Sequence, residues 1–322
     1  MKNNIIIIAG DPNSINSEII SKTWKKISPS LKRKLYLIAN FDLINKQLKK
    51  IKSKIPICEV QQIDENSITK KLKIINVPLN FKNPFNVSLK NSRKYTIKCF
   101  NLAHHLTQTK NIKGLINCPI NKRLLSKSKK IGVTEFLASK CKVNNDSEVM
   151  LIHNKKFSIV PITTHINIKN VSKKISINFI IKKIETLQKD FKKLFNKRPK
   201  IGILGLNPHN AELFYDSEEV RTIIPAISKL KKKGFNITGP LSADTLFINN
   251  YKKYDVVVGM YHDQVLIPIK ALCKYEAINV TLGLKYLRVS PDHGVASNII
   301  NRNKANPKSL INCIKFLNKF EK

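Results

Sequence analysis

Short, nearly uninterrupted apolar runs alternate along this chain with longer stretches whose apolar residues recur every three or four positions. The runs at 4–9, 35–39, 114–118, 157–162, 201–206 and 255–260 have the length and character of strands buried on both faces. Between them, Ile177, Ile180, Ile181, Ile184, Leu187, Phe191, Leu194 and Phe195 line one side of an amphipathic helix. Helical spacing also covers 99–109, and Ser17-Glu18-Ile19-Ile20 opens a helix after the turn Gly10-Asp-Pro-Asn-Ser14. Strands alternating with helices predict an α/β protein with a largely parallel sheet. The lysine-rich, weakly patterned stretch 46–84 reads as peripheral.

The chain is organised around residues 255–270. Val256, Val257, Val258 and Met260, interrupted only by Gly259, give way abruptly to Tyr261-His262-Asp263-Gln264. This is a buried strand running out into a polar rim, and ligands of open α/β sheets bind at such carboxyl ends. His262 and Asp263 can bind a metal or a proton there, and Lys270 can meet an anion. A rim that merely faces water fits this segment alone equally well. The pattern recurs, however: three apolar strands each deliver a histidine just past the carboxyl end, in Thr163-Thr-His165, Asn207-Pro-His209 and Met260-Tyr-His262. Imidazole is a common transition-metal ligand, and three of them leave coordination positions open to a substrate. A shared site of His165, His209 and His262 is therefore expected.

Composition narrows the classes. A chain of 322 residues, 42% hydrophobic, makes one large or two ordinary domains. No apolar run approaches the length of a membrane span, and Ile5–Ile8 is too short for the core of a signal peptide, so a cytoplasmic protein is expected. The six cysteines are scattered without a Cys-x-x-Cys pair, which favours buried free thiols over disulfides or a cysteine zinc site. The net charge of +38 raises nucleic-acid binding as a distant alternative. Only seven residues are arginine and the lysines spread over almost every helix face, which describes a solvated surface rather than a nucleic-acid patch.

Several motifs carry a resemblance to a known family. Leu204-Gly-Leu-Asn-Pro-His209, Thr222-Ile-Ile-Pro225, Gly239-Pro-Leu-Ser-Ala-Asp-Thr-Leu-Phe247, Met260-Tyr-His-Asp-Gln264, Asn279-Val-Thr-Leu-Gly-Leu284, Arg288 and Ser290-Pro-Asp-His-Gly294 resemble the 4-hydroxythreonine-4-phosphate dehydrogenases of vitamin B6 biosynthesis. Weaker matches at Gly10-Asp-Pro12, Pro119-Ile-Asn-Lys122, Gly132-Val-Thr-Glu135 and Thr164-His165 extend it over nearly the whole chain.

The resemblance implies a two-domain fold like that of isocitrate and isopropylmalate dehydrogenases, with mostly parallel sheets and an active-site cleft between domains. One domain would comprise 1–125 plus 290–322 on the cofactor side, and the other 126–289 with the metal and substrate residues and a homodimer interface. It implies that His165, His209 and His262 bind a divalent ion (zinc, magnesium or cobalt) at that interface, and that Thr134, Lys270, Asn279 and Arg288 contact a phosphorylated substrate. NAD or NADP would lie against Asp292, His293, Gly294, Val295 and Ala296, since the chain contains neither a Gly-x-Gly-x-x-Gly nor a Walker loop. The implied reaction is oxidation of 4-phosphooxy-L-threonine followed by decarboxylation to 3-amino-2-oxopropyl phosphate. A metal can lower the pKa of bound water from 15.7 to about 7 and would act similarly on a chelating alcohol. Lys270, Asp244 and Asp263 are the candidate catalytic side chains, the aspartates for proton transfer or for orienting a metal-bound histidine. Helix capping or a surface ion pair is an equally good reading of either aspartate.

The chain departs from the family pattern at Val133, where a histidine is usual, at Ser14, Asn16 and Ser17 and at Asn210, where glycines, proline or alanine are usual, and at Val289, Val295 and Asn298 near the cofactor loop. These departures keep open a same-fold dehydrogenase for another phosphorylated or aromatic hydroxy acid, or a decayed family member. Survival of all three histidines favours an active enzyme.

Overall fold

In chain order the strands are β1 Asn4–Ile8, β2 Leu35–Ala39, β3 Ile57–Val60, β4 Leu72–Asn76, β5 Ile112–Asn117, β6 Val149–His153, β7 Ser158–Pro161, β8 Ile201–Leu204, β9 Ile237–Leu241, β10 Val256–Gly259, β11 Ile278–Leu282 and β12 Arg288–Pro291. The computed structural model describes residues 3–64, 69–108, 111–125, 132–143, 147–248 and 250–320. The chain divides into two units, Met1–Lys140 with Lys285–Lys322, and Cys141–Leu284.

In the first unit the strand order is β3-β4-β2-β1-β5-β12, and every neighbouring pair is parallel. Ile5–Ile8 and Leu35–Ala39 are buried throughout, as runs covered on both faces must be. The chain moves from β1 to β2 on one side and later sets β5 on the other, so β1 and β5 flank a topological switch point. There the turn after β1 is locked onto the turn after β5. Asp11 accepts from the backbone N–H of Asn13 at 2.8 Å and of Asn121 at 3.1 Å, and Asn16 donates to the carbonyls of Ala9 and Pro119, each at 2.8 Å. Gly10, at φ +81°, leaves no room for a Cβ, which would lie 2.6 Å from the Pro119 carbonyl oxygen.

Helix Asn16–Lys26 begins one residue before Ser17, and the side chain beside its first N–H is Ser14, at 3.2 Å. Helix Leu89–Thr107 starts well upstream of the expected 99, behind the cap Ser88, whose hydroxyl accepts from Asn91. The stretch 46–84 is not peripheral: it supplies β3 and β4, and β4 lies between β3 and β2 with Leu72, Lys73, Ile74 and Ile75 buried. Lys73 disguised the strand. Its Nζ lies over the Tyr36 ring, 3.9 Å from the centroid, and donates to the Arg33 carbonyl at 2.6 Å.

The second unit orders its strands β11-β6-β7-β10-β8-β9, parallel from β7 to β9 and antiparallel across β11-β6-β7. Helix Ile177–Phe195 buries Ile180, Ile184, Leu187 and Phe191, the stripe its spacing predicts. Five of the six cysteines are buried, and all six are free thiols. Among the described residues no helix is long and apolar enough to cross a membrane.

Candidate functional site

β7, β10 and β8 are adjacent parallel strands, and each delivers one of the three histidines past its carboxyl end. β10 is central, and its next residue, Met260, ties the outer loops to it. The Met260 carbonyl accepts from Thr163 twice, from the backbone N–H at 3.1 Å and from the hydroxyl at 2.7 Å, which fixes the turn leading to His165. The Met260 N–H donates to the Gln264 side-chain oxygen at 2.7 Å, and the Gln264 amide donates to the Gly205 carbonyl at 2.7 Å, which fixes the turn leading to His209.

His262 is the first residue of the helix His262–Cys273. Its ring lies 5.6 Å, centroid to centroid, from that of His165. With metal–nitrogen bonds of about 2.0–2.1 Å, that separation suits two imidazoles on one ion. His262 Nδ1 is 2.6 Å from Asp263 Oδ1, and when Nδ1 donates there Nε2 keeps its lone pair for an ion. His209 belongs to a different local structure. Residues 209–213 all have φ between 47° and 59°, a left-handed turn made without glycine. His209 is exposed there, with Nδ1 3.9 Å from Asp244 Oδ2. Each of these two histidines thus has a carboxylate beside Nδ1. Among the described residues no group of three or more His, Cys, Asp or Glu side chains is gathered for one ion. The donors are chemically right for a divalent ion, with two of the predicted imidazoles side by side.

Lys270 lies on the same helix as His262, two turns on, and is exposed. Asn279 on β11 has its side-chain oxygen buried without a hydrogen-bond partner, an acceptor left unmatched within the fold. In the first unit the structure brings Thr134 and Arg288 together. Arg288, the first residue of β12, is 2% exposed; Nε donates to Asn117 Oδ1 at 2.6 Å and a terminal nitrogen to the Thr134 hydroxyl at 3.5 Å. Burial pushes this guanidinium down to about 10, which leaves it cationic at neutral pH. Val133 is the first residue of the helix Val133–Lys140 that carries Thr134.

The predicted cofactor loop follows β12. The Asp292 N–H donates to Ser309, His293 Nδ1 is 2.9 Å from the Gly294 carbonyl, Val295 accepts from the Ile15 N–H, and Ala296 is left-handed at φ 46°. A Cβ at Gly294 would meet nothing within 4 Å, so this backbone is open to a flat ligand.

Sequence reasoning missed Glu219, Gln264, Asn117 and Asp11. Glu219 is fully buried, and one of its oxygens accepts from the backbone N–H of Leu206 at 2.7 Å and of Asn207 at 2.8 Å. Burial pushes its carboxyl up, but the donors of Asn207 and Leu206 outweigh that and hold it below the usual range.

The sequence matches the family described as pyridoxal phosphate biosynthetic protein PdxA over residues 31–317. It is 36% identical over 316 residues to the 4-hydroxythreonine-4-phosphate dehydrogenase of Sulfurihydrogenibium sp., covering 96% of each chain. It is 33% identical over 218 residues to the D-threonate 4-phosphate dehydrogenase of Pectobacterium atrosepticum, covering 66% of each. The crystal structure of 4-hydroxythreonine-4-phosphate dehydrogenase from Klebsiella pneumoniae superposes with a TM-score of 0.84 at 27% identity, covering 98% of each chain.

Proposed function

The chain belongs to the PdxA family of pyridoxal phosphate biosynthetic proteins, and we propose that it is the NAD(P)-dependent, metal-dependent dehydrogenase that oxidises 4-phosphooxy-L-threonine, whose product decarboxylates to 3-amino-2-oxopropyl phosphate. The observation that carries this reading is the delivery of His165, His262 and His209 by three adjacent parallel strands.

These histidines would hold a zinc, magnesium or cobalt ion. A bound ion there would supply Lewis acidity toward the substrate's secondary alcohol and the oxygen derived from it, and a bound NAD or NADP would supply the hydride acceptor. The chain's own residues do the rest. Asp263 Oδ1 accepts the proton of His262 Nδ1 and so presents Nε2, whereas Asp244, 3.9 Å from His209 Nδ1, is beyond hydrogen-bond reach and offers that ring only its charge. Arg288, steered by Asn117 and Thr134, offers a rigid cationic fork to the substrate's phosphate. Asn279 adds a polar contact to the substrate, and Lys270 meets its anionic end. The loop 292–296 receives the dinucleotide.

A second copy of the chain completes the site. Among the described residues ten large apolar side chains stand exposed, nine of them in the second unit, and six of these follow the histidines: Ile166 and Ile168 after His165, Leu213, Phe214 and Tyr215 after His209, and Ile267 after His262. Burying such a surface between copies would remove it from water. The assembled enzyme works in the cytoplasm.

The test is NAD(P) reduction by purified protein with 4-phosphooxy-L-threonine and added divalent metal, beside His209→Ala. Metal-dependent reduction lost in the variant supports the reading; metal bound without reduction rejects this substrate. A second reading, D-threonate 4-phosphate or a similar phosphorylated hydroxy acid, is favoured by Val133 and by the Pectobacterium relative. The same assay with that substrate separates the two.

A further inference from the structure

A run of five non-glycine residues in the left-handed region is costly, because each Cβ crowds the carbonyl oxygen that follows it. His209, Asn210, Ala211, Glu212 and Leu213 form such a run, at φ of 50°, 57°, 50°, 47° and 59°. A backbone of this kind persists only where its surroundings over-determine it. The surroundings here include the Gln264 amide on the Gly205 carbonyl, the Asn210 amide on the Pro240 carbonyl and one buried carboxylate, that of Glu219. Glu219 begins a turn of π-helix, Glu219–Ile223, a form that recurs at functional sites. One oxygen receives the N–H groups of Leu206 and Asn207, and the other receives the Asn207 side-chain amide at 3.0 Å. The same amide reaches Glu218 at 2.8 Å, and the Asn207 carbonyl accepts from the Asn210 N–H at 3.1 Å, which closes the first step of the left-handed turn. Gly205 makes the approach possible: a Cβ there would lie 2.9 Å from the Glu219 oxygen and 2.2 Å from Asn210 Oδ1.

We propose that Glu219 is a positioning residue for the metal site, its buried carboxylate holding residues 205–207 in the one shape from which the left-handed turn projects His209. The inference rests on the metal reading above. Glu219 touches neither substrate nor ion; it acts through the backbone that carries His209. It therefore governs how well His209 joins His165 and His262, and not whether the fold forms.

The test is titration of the metal-free protein with cobalt(II), followed by its visible d–d absorption, for the wild type, His209→Ala, Glu219→Gln and Glu219→Ala. Amide hydrogen exchange is measured over residues 204–216 in the same samples. Glu219→Gln keeps the size of the side chain and one acceptor oxygen but sets an amide donor against the Asn207 amide. It is expected to weaken cobalt binding by about 10-fold or more, in line with outer-shell substitutions elsewhere, and to shift the spectrum toward that of His209→Ala. Exchange over 204–216 should rise while the rest of the second unit keeps its protection, and Glu219→Ala should move further the same way. Cobalt affinity and spectrum unchanged in Glu219→Gln would overturn the proposal with the metal reading intact. A wild type that binds no cobalt would overturn both.

Discussion

The Gln264 amide reaches across to the Gly205 carbonyl at 2.7 Å while its own oxygen receives the Met260 N–H. One side chain thereby joins the end of the strand leading to His262 to the end of the strand leading to His209. Gly259 leaves room for it, since a Cβ there would lie 2.8 Å from the Gln264 oxygen.

Gln264→Ala would strand two backbone groups, and each buried group left unpaired costs about 1–3 kcal/mol. A lower urea midpoint is expected, together with weaker metal binding, because both histidine-bearing turns lose their common tie. An unchanged midpoint would show that water replaces the amide at no cost.

Arg288→Lys keeps the charge but loses the fork that serves Asn117 and Thr134 together. Losing a charged hydrogen bond of about 1.5–3 kcal/mol corresponds to a rise in KM for the phosphorylated substrate of roughly 10- to 100-fold. Metal affinity should stay as it is, since Arg288 lies on β12 and the histidines follow β7, β8 and β10. Steady-state kinetics beside a metal titration distinguishes this from general damage.

Asp263→Asn would leave the His262 ring free to choose its tautomer. Metal affinity is expected to fall about 10- to 100-fold, the usual effect of removing such a partner. The thermal midpoint should move little, because the Asp263 side chain is largely exposed. A large thermal shift with unchanged affinity would point to a capping role for Asp263 at the start of its helix.

His153, at the end of β6, bears on pH. Burial pushes its pKa down to about 4. A group so depressed is neutral in the fold at pH values where the unfolded chain, near 6.5, already takes up a proton. Its contribution is therefore full above about pH 6.5 and is lost progressively as pH falls toward 4, on the order of 3 kcal/mol in all. His153→Gln should flatten stability against pH over that window, as read by denaturant unfolding at pH 7, 5.5 and 4.

The histidines were legible because apolar runs of strand length stop abruptly beside them, a signal that depends only on local sequence. Glu219 was not, because Asp216-Ser217-Glu218-Glu219 reads as a solvated acidic run. Its burial depends on Gly205, fourteen residues earlier, which only the folded chain brings near. β4 was hidden by Lys73, whose charge masks a strand that is otherwise apolar on both faces. A shared role for Arg288 and Thr134 at one substrate was expected only through the family motifs, and their direct contact was not expected at all, since 154 residues separate the two.

The Met260 peptide has a practical consequence for how this protein tolerates change. Val256, Val257 and Val258 beneath it are wholly buried, and both outer turns hang from the residue they support. A small shift of that strand would reach the turns that carry all three imidazoles at once. Trimming a methyl group deep in this unit should therefore behave like an active-site lesion, and screens that score foldedness and turnover separately should find the two hard to pull apart here.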